Sequence, residues 1–240
     1  MIDDDKFKRM REYYDQDYYS DGPSRQTTAL PWHCRWIARR LGSLAGKDVL
    51  DVACGRGEWL EWLHSKGANI SGIDLSERAI DSCRRRMPGG DFRCGVAETL
   101  PFESASFDIV TCLGSLEHFL DKPGALHEMV RVARPDALFL ILVPNAGFLT
   151  RRLGLYKGTN QARVQEDVLS LEVWHSLLVA AGLQVRSRWR DLHPLSLGWI
   201  GLGRGIGERS VRILQAAALG FWPIRWQYQV YHFCQLQAAR

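Results

Sequence analysis

The sequence predicts an α/β fold, a mostly parallel sheet with helices on both faces. Short apolar runs alternate along the chain with segments of helical period, and such alternation builds parallel strands joined by helical crossovers. The run ALFLILV at residues 137–143 is apolar at every position, as a strand covered on both faces requires. At residues 49–63, VLDVACGRGEWLEWL, an apolar run breaks at glycines and passes straight into a helical pattern.

The patterning predicts strands at residues 48–52, 69–74, 91–96, 107–113 and 137–143. Helices are expected between them at 58–65, 76–86 and 122–133, and beyond them at 170–181. GLQVRSRW then reads as a strand. In RWQYQVYHFCQLQ, Trp226, Tyr228 and Val230 alternate with Gln227 and Gln229, the period of another. About 35 residues separate these two runs, so the connection is expected to be functional or to hold elements of its own.

No Ser/Pro-rich linker, low-complexity tract or repeat divides the 240 residues, so a single domain is expected over 1–240. The composition, 46% hydrophobic and 24% charged, is that of a soluble globular protein. Cys34, Cys54, Cys83, Cys94, Cys112 and Cys234 are scattered, with no C-x-x-C pair. Reduced thiols in a cytoplasmic protein are therefore expected, not a disulfide frame or a metal site. The N-terminal MIDDDKFKRMREYYDQDYY is too charged for a signal peptide, and no apolar run approaches the ~20 residues of a membrane span. A formal charge of +4 does not by itself argue for nucleic acid.

In an open α/β sheet, ligands sit beyond the carboxyl ends of the strands, where DVACGRGEW lies. Small residues at Ala53, Gly55 and Gly57 let the backbone approach a ligand, and the amides opening the next helix suit an anionic group. No Lys-Ser or Lys-Thr follows, which weighs against a P-loop. Leu60 stands where a dinucleotide fingerprint needs its third glycine. Asp51, just before the turn, would repel a phosphate and attract an ammonium group. Asp74 closes the next strand, where its two oxygens can accept from both hydroxyls of a ribose. A ligand joining an amino acid to a nucleoside is S-adenosylmethionine.

The motifs VLDVACGRG, GIDLS, CGVAETLPFESASFDIV and RVARPDALFLILVPN stand in this order within residues 47–145. Together they resemble the class I S-adenosylmethionine-dependent methyltransferases of the small-molecule group. The resemblance implies a Rossmann-like, mostly parallel seven-stranded sheet with an antiparallel last strand, residues 47–145 forming the cofactor-binding core. It places methionine against Asp51, Ala53, Gly55 and Gly57, and ribose on Asp74. Adenine would lie between Leu75 and the Ala97–Glu98 turn, and Leu113 near the sulfonium; S-adenosylhomocysteine would be the product. Many relatives carry an Asp before LPF that can bond the adenine amino group. Here that position is Val96, so adenine is expected to be held by backbone and packing. Asp108 begins its strand, at the wrong edge for the ligand, and is expected to be structural.

After the fourth strand the sequence reads TCLGSLEHF. His118, with an unperturbed pKa near ~6.5, is the expected general base for a hydroxyl acceptor. The segment resembles the ubiquinone-biosynthesis O-methyltransferases, whose E-x-x-E-H holds a divalent metal. Gly114 replaces the first carboxylate, leaving Glu117 and His118, so no metal is expected. The [DN]-P-P-[YFW] of base-acting amino-methyltransferases is absent, and no nucleic-acid partner is expected. A small-molecule, sugar-linked or lipid-linked acceptor is left, methylated on oxygen. The glycine turn also resembles that of surface-polysaccharide methyltransferases. The alternative is a non-catalytic S-adenosylmethionine-binding regulatory or scaffold subunit. His33, His193 and His232 lie outside the motifs and receive no role.

Residues 1–46, with REYYDQDYYSDG and LPWHCRWIARRLGSL, are expected to form lid helices, with Tyr13, Tyr14, Tyr18 and Tyr19 near the reacting centre. Residues 190–225 form an insert between the last two strands. Its GLGRGIG reads as a flexible loop, and Val211, Leu214, Ala218 and Phe221 fall on one helical face. Arg204, Arg209, Arg212 and Arg225 accompany Trp199, Trp222 and Trp226, preceded by Arg186, Arg188 and Arg190; Arg151, Arg152 and Lys157 extend the basic surface. This composition suits an interfacial segment on anionic lipid, or a pocket for a phosphate-bearing acceptor. A dimer contact, or a helix packed back on the sheet, is the alternative. The chain is expected in the cytoplasm, with contact to the inner face of the membrane and a homodimer left open.

Overall fold

The computed structural model describes residues 4–19, 30–152, 154, 166–201, 205–219 and 221–237. Strands β1 (Asp48–Val52), β2 (Asn69–Asp74), β3 (Asp91–Cys94), β4 (Phe107–Leu113), β5 (Ala133–Pro144), β6 (Leu183–Arg190) and β7 (Gln229–Leu236) form one sheet. Its seven strands are ordered β3-β2-β1-β4-β5-β7-β6. The first five run parallel, and β7 enters antiparallel between β5 and β6. This is the expected Rossmann-like arrangement. The chain reverses its lateral direction between β1 and β4, which leaves a crevice at their carboxyl ends.

Before the sheet come α1 (Asp4–Tyr13) and α2 (Trp32–Ala38); α3 (Glu58–His64), α4 (Glu77–Arg86) and α5 (Lys122–Val132) make the crossovers. Between β5 and β6 lie α6 (Leu149–Arg152) and α7 (Leu171–Ala180), and the β6–β7 connection holds α8 (Leu197–Gly201) and α9 (Ile206–Leu219). Strand side chains alternate between faces, so β1, β4 and β5 feed two cores. On one face Val49, Ile109 and Leu140 pack with Ile37 of α2, Leu60 of α3 and Ile80 of α4. On the other, Leu50, Val110 and Phe139 pack with Met129 of α5 and Trp174 of α7. Burial on both faces is why β5 is a continuous apolar run, each such side chain contributing about 1.5–3 kcal/mol.

Two of the expected helices start one residue late because their first residue is a cap. Ser76 Oγ accepts from the Ala79 amide at 3.2 Å, and Ser170 Oγ from the Val173 amide at 3.3 Å, each cap contributing about 1 kcal/mol. β3 stops at Cys94, short of Val96, because Gly95 and Val96 leave the sheet to wall a cleft. β5 begins earlier than expected, at Ala133. A register shift between Phe107 and Ile109 accommodates Pro135, while Arg134 reaches Asp48 Oδ2 at 2.8 Å and Asp108 Oδ2 at 2.7 Å. Asp108 also accepts from the Asp48 amide at 2.9 Å and from Lys47 at 3.2 Å. Burial raises its pKa, but these donors outweigh burial and hold it below the usual carboxylate range.

The C-terminal part departs further from the expected pattern. Trp226 and Tyr228 precede β7, Ile224–Trp226 forming a 3-10 turn. Gln227 is buried, its carbonyl accepting from Asn145 Nδ2 at 3.0 Å. GLGRGIG is helical at both ends, as the close of α8 and the start of α9, its residues 202–204 lying outside those described. Arg204, Lys157 and the Trp199 side chain likewise lie outside the described residues. Val211 and Leu214 on α9 and Phe221 beyond it are exposed, so this face is not packed back on the sheet. Arg186 bonds Gln184 on its own strand at 2.8 Å and Arg188 the Leu171 carbonyl at 3.5 Å.

Candidate functional site

β1 runs into a turn in which Ala53 (φ 62°), Gly55 (φ 54°) and Gly57 (φ 80°) are left-handed. For Ala53 that conformation costs about 1–2 kcal/mol, and strain of this kind gathers at functional sites. A Cβ at Gly57 would stand 2.7 Å from Met87 Cε and 2.8 Å from Cys83 Sγ, so the close approach there is from α4. A Cβ at Gly55 would stand 3.0 Å from the Tyr19 hydroxyl.

Two carboxylates flank this turn. Asp51 is buried, its Oδ1 accepting from Thr111 Oγ1 at 2.6 Å. Burial pushes its pKa up to about 7, the Thr111 bond opposes the rise and Asp74 adds to it. Asp74 closes β2 and ties two backbone segments together. Its Oδ2 accepts from the Gly55 amide at 2.8 Å and its Oδ1 from the Ser76 amide at 2.9 Å. Burial raises its pKa while these amide bonds lower it. A carboxylate offers about four acceptor positions, so roughly two remain for a ligand.

Beyond β3 the chain turns through Gly95–Glu98. Glu98 Oε1 accepts from the amides of Leu120 (3.0 Å) and Asp121 (3.2 Å). Its carboxylate thereby fastens the loop after β4, which carries the 3-10 turn Leu116–His118. In that turn His118 faces the cleft, whereas Glu117 is buried and absent from the cleft wall. Burial, reinforced by Glu166, pushes the Glu117 pKa up to about 8. Among the described residues no three metal-ligating side chains gather at one point. The geometric reasons at this loop are the missing side chain of Gly114 and the divergence of Glu117 from His118.

These segments enclose an open cleft of roughly 730 Å³, adjoining solvent space included. Ala53, Asp74, Leu75, Ala97, Glu98 and His118 line it, and Val96 does too. Asp51, Gly55, Gly57 and Leu113 are not part of that wall. Gly55 has the Tyr19 hydroxyl against it, and Asp51 lies beneath the turn under its bond to Thr111.

The opposite wall is N-terminal. Phe7 and Met10 of α1, with Tyr14, Tyr18 and Tyr19, face the cleft. Tyr13 does not; it packs edge-on against Tyr14 at 5.4 Å between ring centroids. Burial first, then Asp74 or neighbouring tyrosines, raises the pKa of Tyr14, Tyr18 and Tyr19, so they stay protonated donors. The segment is fastened by Asp15, whose Oδ1 accepts from Ser76 Oγ at 2.5 Å, and by Arg56, whose Nη2 donates to the Tyr19 carbonyl at 3.0 Å. Sequence reasoning missed Asp15, Phe7 and Met10. The i, i+3, i+7 spacing of Phe7, Met10 and Tyr14 is the signal that marks the inward stripe of α1.

A methyltransferase-domain family model matches residues 50–141. The chain is 38% identical over 173 residues to a ubiquinone biosynthesis O-methyltransferase of Pseudomonas aeruginosa, covering 65% of this chain and 72% of that one. This chain belongs to the S-adenosylmethionine-dependent methyltransferases. It is also 29% identical over 178 residues to a probable S-adenosylmethionine-dependent methyltransferase of Mycolicibacterium smegmatis, covering 74% of this chain and 68% of the relative. The methyltransferase spans about half the length of several further ubiquinone biosynthesis O-methyltransferases, 52% for that of Azoarcus sp.. Among solved structures, an S-adenosylmethionine-dependent methyltransferase of Mesorhizobium loti superposes with a TM-score of 0.60 at 17% identity, over 84% of this chain and 97% of that one. That likeness is one of fold.

Proposed function

We propose that this methyltransferase methylates an oxygen of a small-molecule, sugar-linked or lipid-linked acceptor, with His118 as general base. The observation that carries the reading is the position of His118 on the wall of the cleft that Asp74 and Ala53 also line. The P. aeruginosa relative, an O-methyltransferase, supports the choice of oxygen. When bound, S-adenosylmethionine supplies an electrophilic methyl group on a sulfonium. The two open acceptor positions of Asp74 would take the ribose hydroxyls, and Leu75 with the Ala97–Glu98 turn would hold adenine. Asp51 would meet the ammonium group, and Ala53, Gly55 and Gly57 the methionine backbone, with Leu113 near the sulfur. His118 would take the acceptor proton as the oxygen–carbon bond forms and the carbon–sulfur bond breaks, leaving neutral S-adenosylhomocysteine. Aligning donor and acceptor and removing that proton are the tasks left to the protein.

The test pairs labelling with a variant. Methyl-labelled S-adenosylmethionine and a cell extract, partitioned between organic and aqueous phases, show whether the acceptor is lipid-like or soluble. His118→Ala should then lower turnover of that acceptor by about 10²–10⁴-fold while leaving S-adenosylhomocysteine affinity unchanged. Turnover retained in the variant removes His118 from the mechanism.

A further inference from the structure

The segment after α1 stands across the cleft from the two motifs that would hold the cofactor, and it is fastened to both. Tyr14–Tyr18 is a single π turn, closed where the Tyr19 amide donates to the Tyr14 carbonyl at 2.9 Å. Such turns occur frequently at functional sites. At one end Asp15 Oδ1 accepts from Ser76 Oγ at 2.5 Å and from the Arg78 amide at 3.4 Å. Both donors lie at the start of α4, just after Asp74, where a helix N-terminus favours a carboxylate. At the other end Arg56, within the glycine turn, donates to the Tyr19 carbonyl at 3.0 Å. The amides of Ser76 and Gly55 in turn donate to Asp74 at 2.9 Å and 2.8 Å. A chain of contacts therefore runs from Asp15 through Ser76, Asp74 and Gly55 to Tyr19.

Tyr19 decides what this fastening does. A Cβ on Gly55 would stand 3.0 Å from the Tyr19 hydroxyl, so the space that the missing side chain opens beside the glycine turn is filled by that hydroxyl. Gly55 is absent from the cleft wall, although Ala53 and Asp74 both line it. The hydroxyl also sits beside the Asp74 carboxylate, which after burial is the largest influence raising its pKa. We infer that residues 14–19 are a gate that must swing aside for the methionine end of S-adenosylmethionine to reach Gly55, with Tyr19 as the plug and Asp15 as the latch. The closed gate and the bound cofactor then exclude each other, so cofactor affinity carries the cost of opening. The apparent dissociation constant is the intrinsic one divided by the fraction of molecules whose gate is open. Asp15 keeps that fraction small, because its bond to Ser76 is half-buried and charge-assisted.

The inference rests on the placement of the cofactor against Asp74 and Gly55, and Asp74→Asn tests that placement by itself. The gate is tested on the full chain with S-adenosylhomocysteine, by calorimetry for affinity and by stopped-flow fluorescence for the association rate. Asp15→Ala removes the latch and should tighten binding about ten-fold. Tyr19→Phe removes the hydroxyl beside Gly55 and should tighten it several-fold. Both gains should come from faster association with an unchanged dissociation rate. A residue that only supports the fold would not behave so, since its loss weakens binding. Urea unfolding shows which variants are folded, and Tyr19→Phe, which keeps the ring, decides the matter if Asp15→Ala is not. Affinity unchanged or weakened in a folded gate variant overturns the inference, and weakening in Tyr19→Phe would make the hydroxyl a ligand of the cofactor instead. Weaker binding in Asp74→Asn with no gain in the gate variants overturns the gate alone. Unchanged binding in Asp74→Asn overturns the placement, and the gate with it.

Discussion

Cofactor-product binding should release a proton from Asp51. Burial raises this carboxyl to about 7 in the empty protein, against ~3.9 in an unfolded chain. At that pKa it is ~90% protonated at pH 6 and ~50% at pH 7. The ammonium group of S-adenosylhomocysteine, if it meets Asp51, favours the carboxylate and returns the pKa toward its ordinary range. Binding then expels ~0.9 proton at pH 6 and ~0.5 at pH 7, and affinity weakens about 5-fold from pH 7 to pH 6 and approaches ~10-fold over the next unit. Calorimetric titration in buffers of different ionisation enthalpy counts the released proton directly. Asp51→Asn keeps an oxygen for the Thr111 hydroxyl and should release none. A binding heat independent of buffer in the wild type at pH 6 would refute the placement of the ammonium on Asp51. The stability of the empty protein follows the same sign. A raised carboxyl pKa means that the folded state keeps a proton the unfolded chain loses, so the contribution is complete below about pH 4 and vanishes as pH rises through about 7. Glu117, raised to about 8, acts in the same direction and extends the loss to higher pH.

Asp74→Asn places an amide donor against the amide of Gly55 or Ser76. Denaturant unfolding should show a loss of about 1–3 kcal/mol, and S-adenosylhomocysteine should bind about 10–100-fold more weakly; reduced stability with unchanged affinity would leave Asp74 a purely structural tie. Ala53→Gly relieves a left-handed alanine worth about 1–2 kcal/mol, against about 0.4–1 kcal/mol of added unfolded-state entropy. The variant should gain on the order of 0.5–1 kcal/mol in urea unfolding, and a loss would mean that the alanine methyl packs better than its backbone is strained. Val96→Asp puts a carboxylate on the cleft wall and should tighten S-adenosylhomocysteine several-fold in calorimetry. No change in affinity would show that adenine does not present its amino group there.

The sequence by itself determined the sheet and the glycine turn at the end of its first strand. Strand period, the doubly covered run of β5 and the glycine turn after β1 are local properties, written within a few residues of each other. So the seven strands, the turn Ala53–Gly57, Asp51 and Asp74 were all readable. The limits of β3 and β5 were not, because Val96 leaves its strand for the cleft wall and Arg134 draws Ala133 into β5 through ion pairs with β1 and β4. Tertiary structure also decided which polar groups meet. Asp51 finds Thr111 60 residues away and Asp15 finds Ser76 61 residues away, and Glu98 closes on the amides after His118. No spacing announces such pairs, since a buried carboxylate takes whatever donors the packed chain brings to it. The same holds for α9. Its heptad-like pattern announces an apolar face, but only the packing of the folded chain decided that this face points outward.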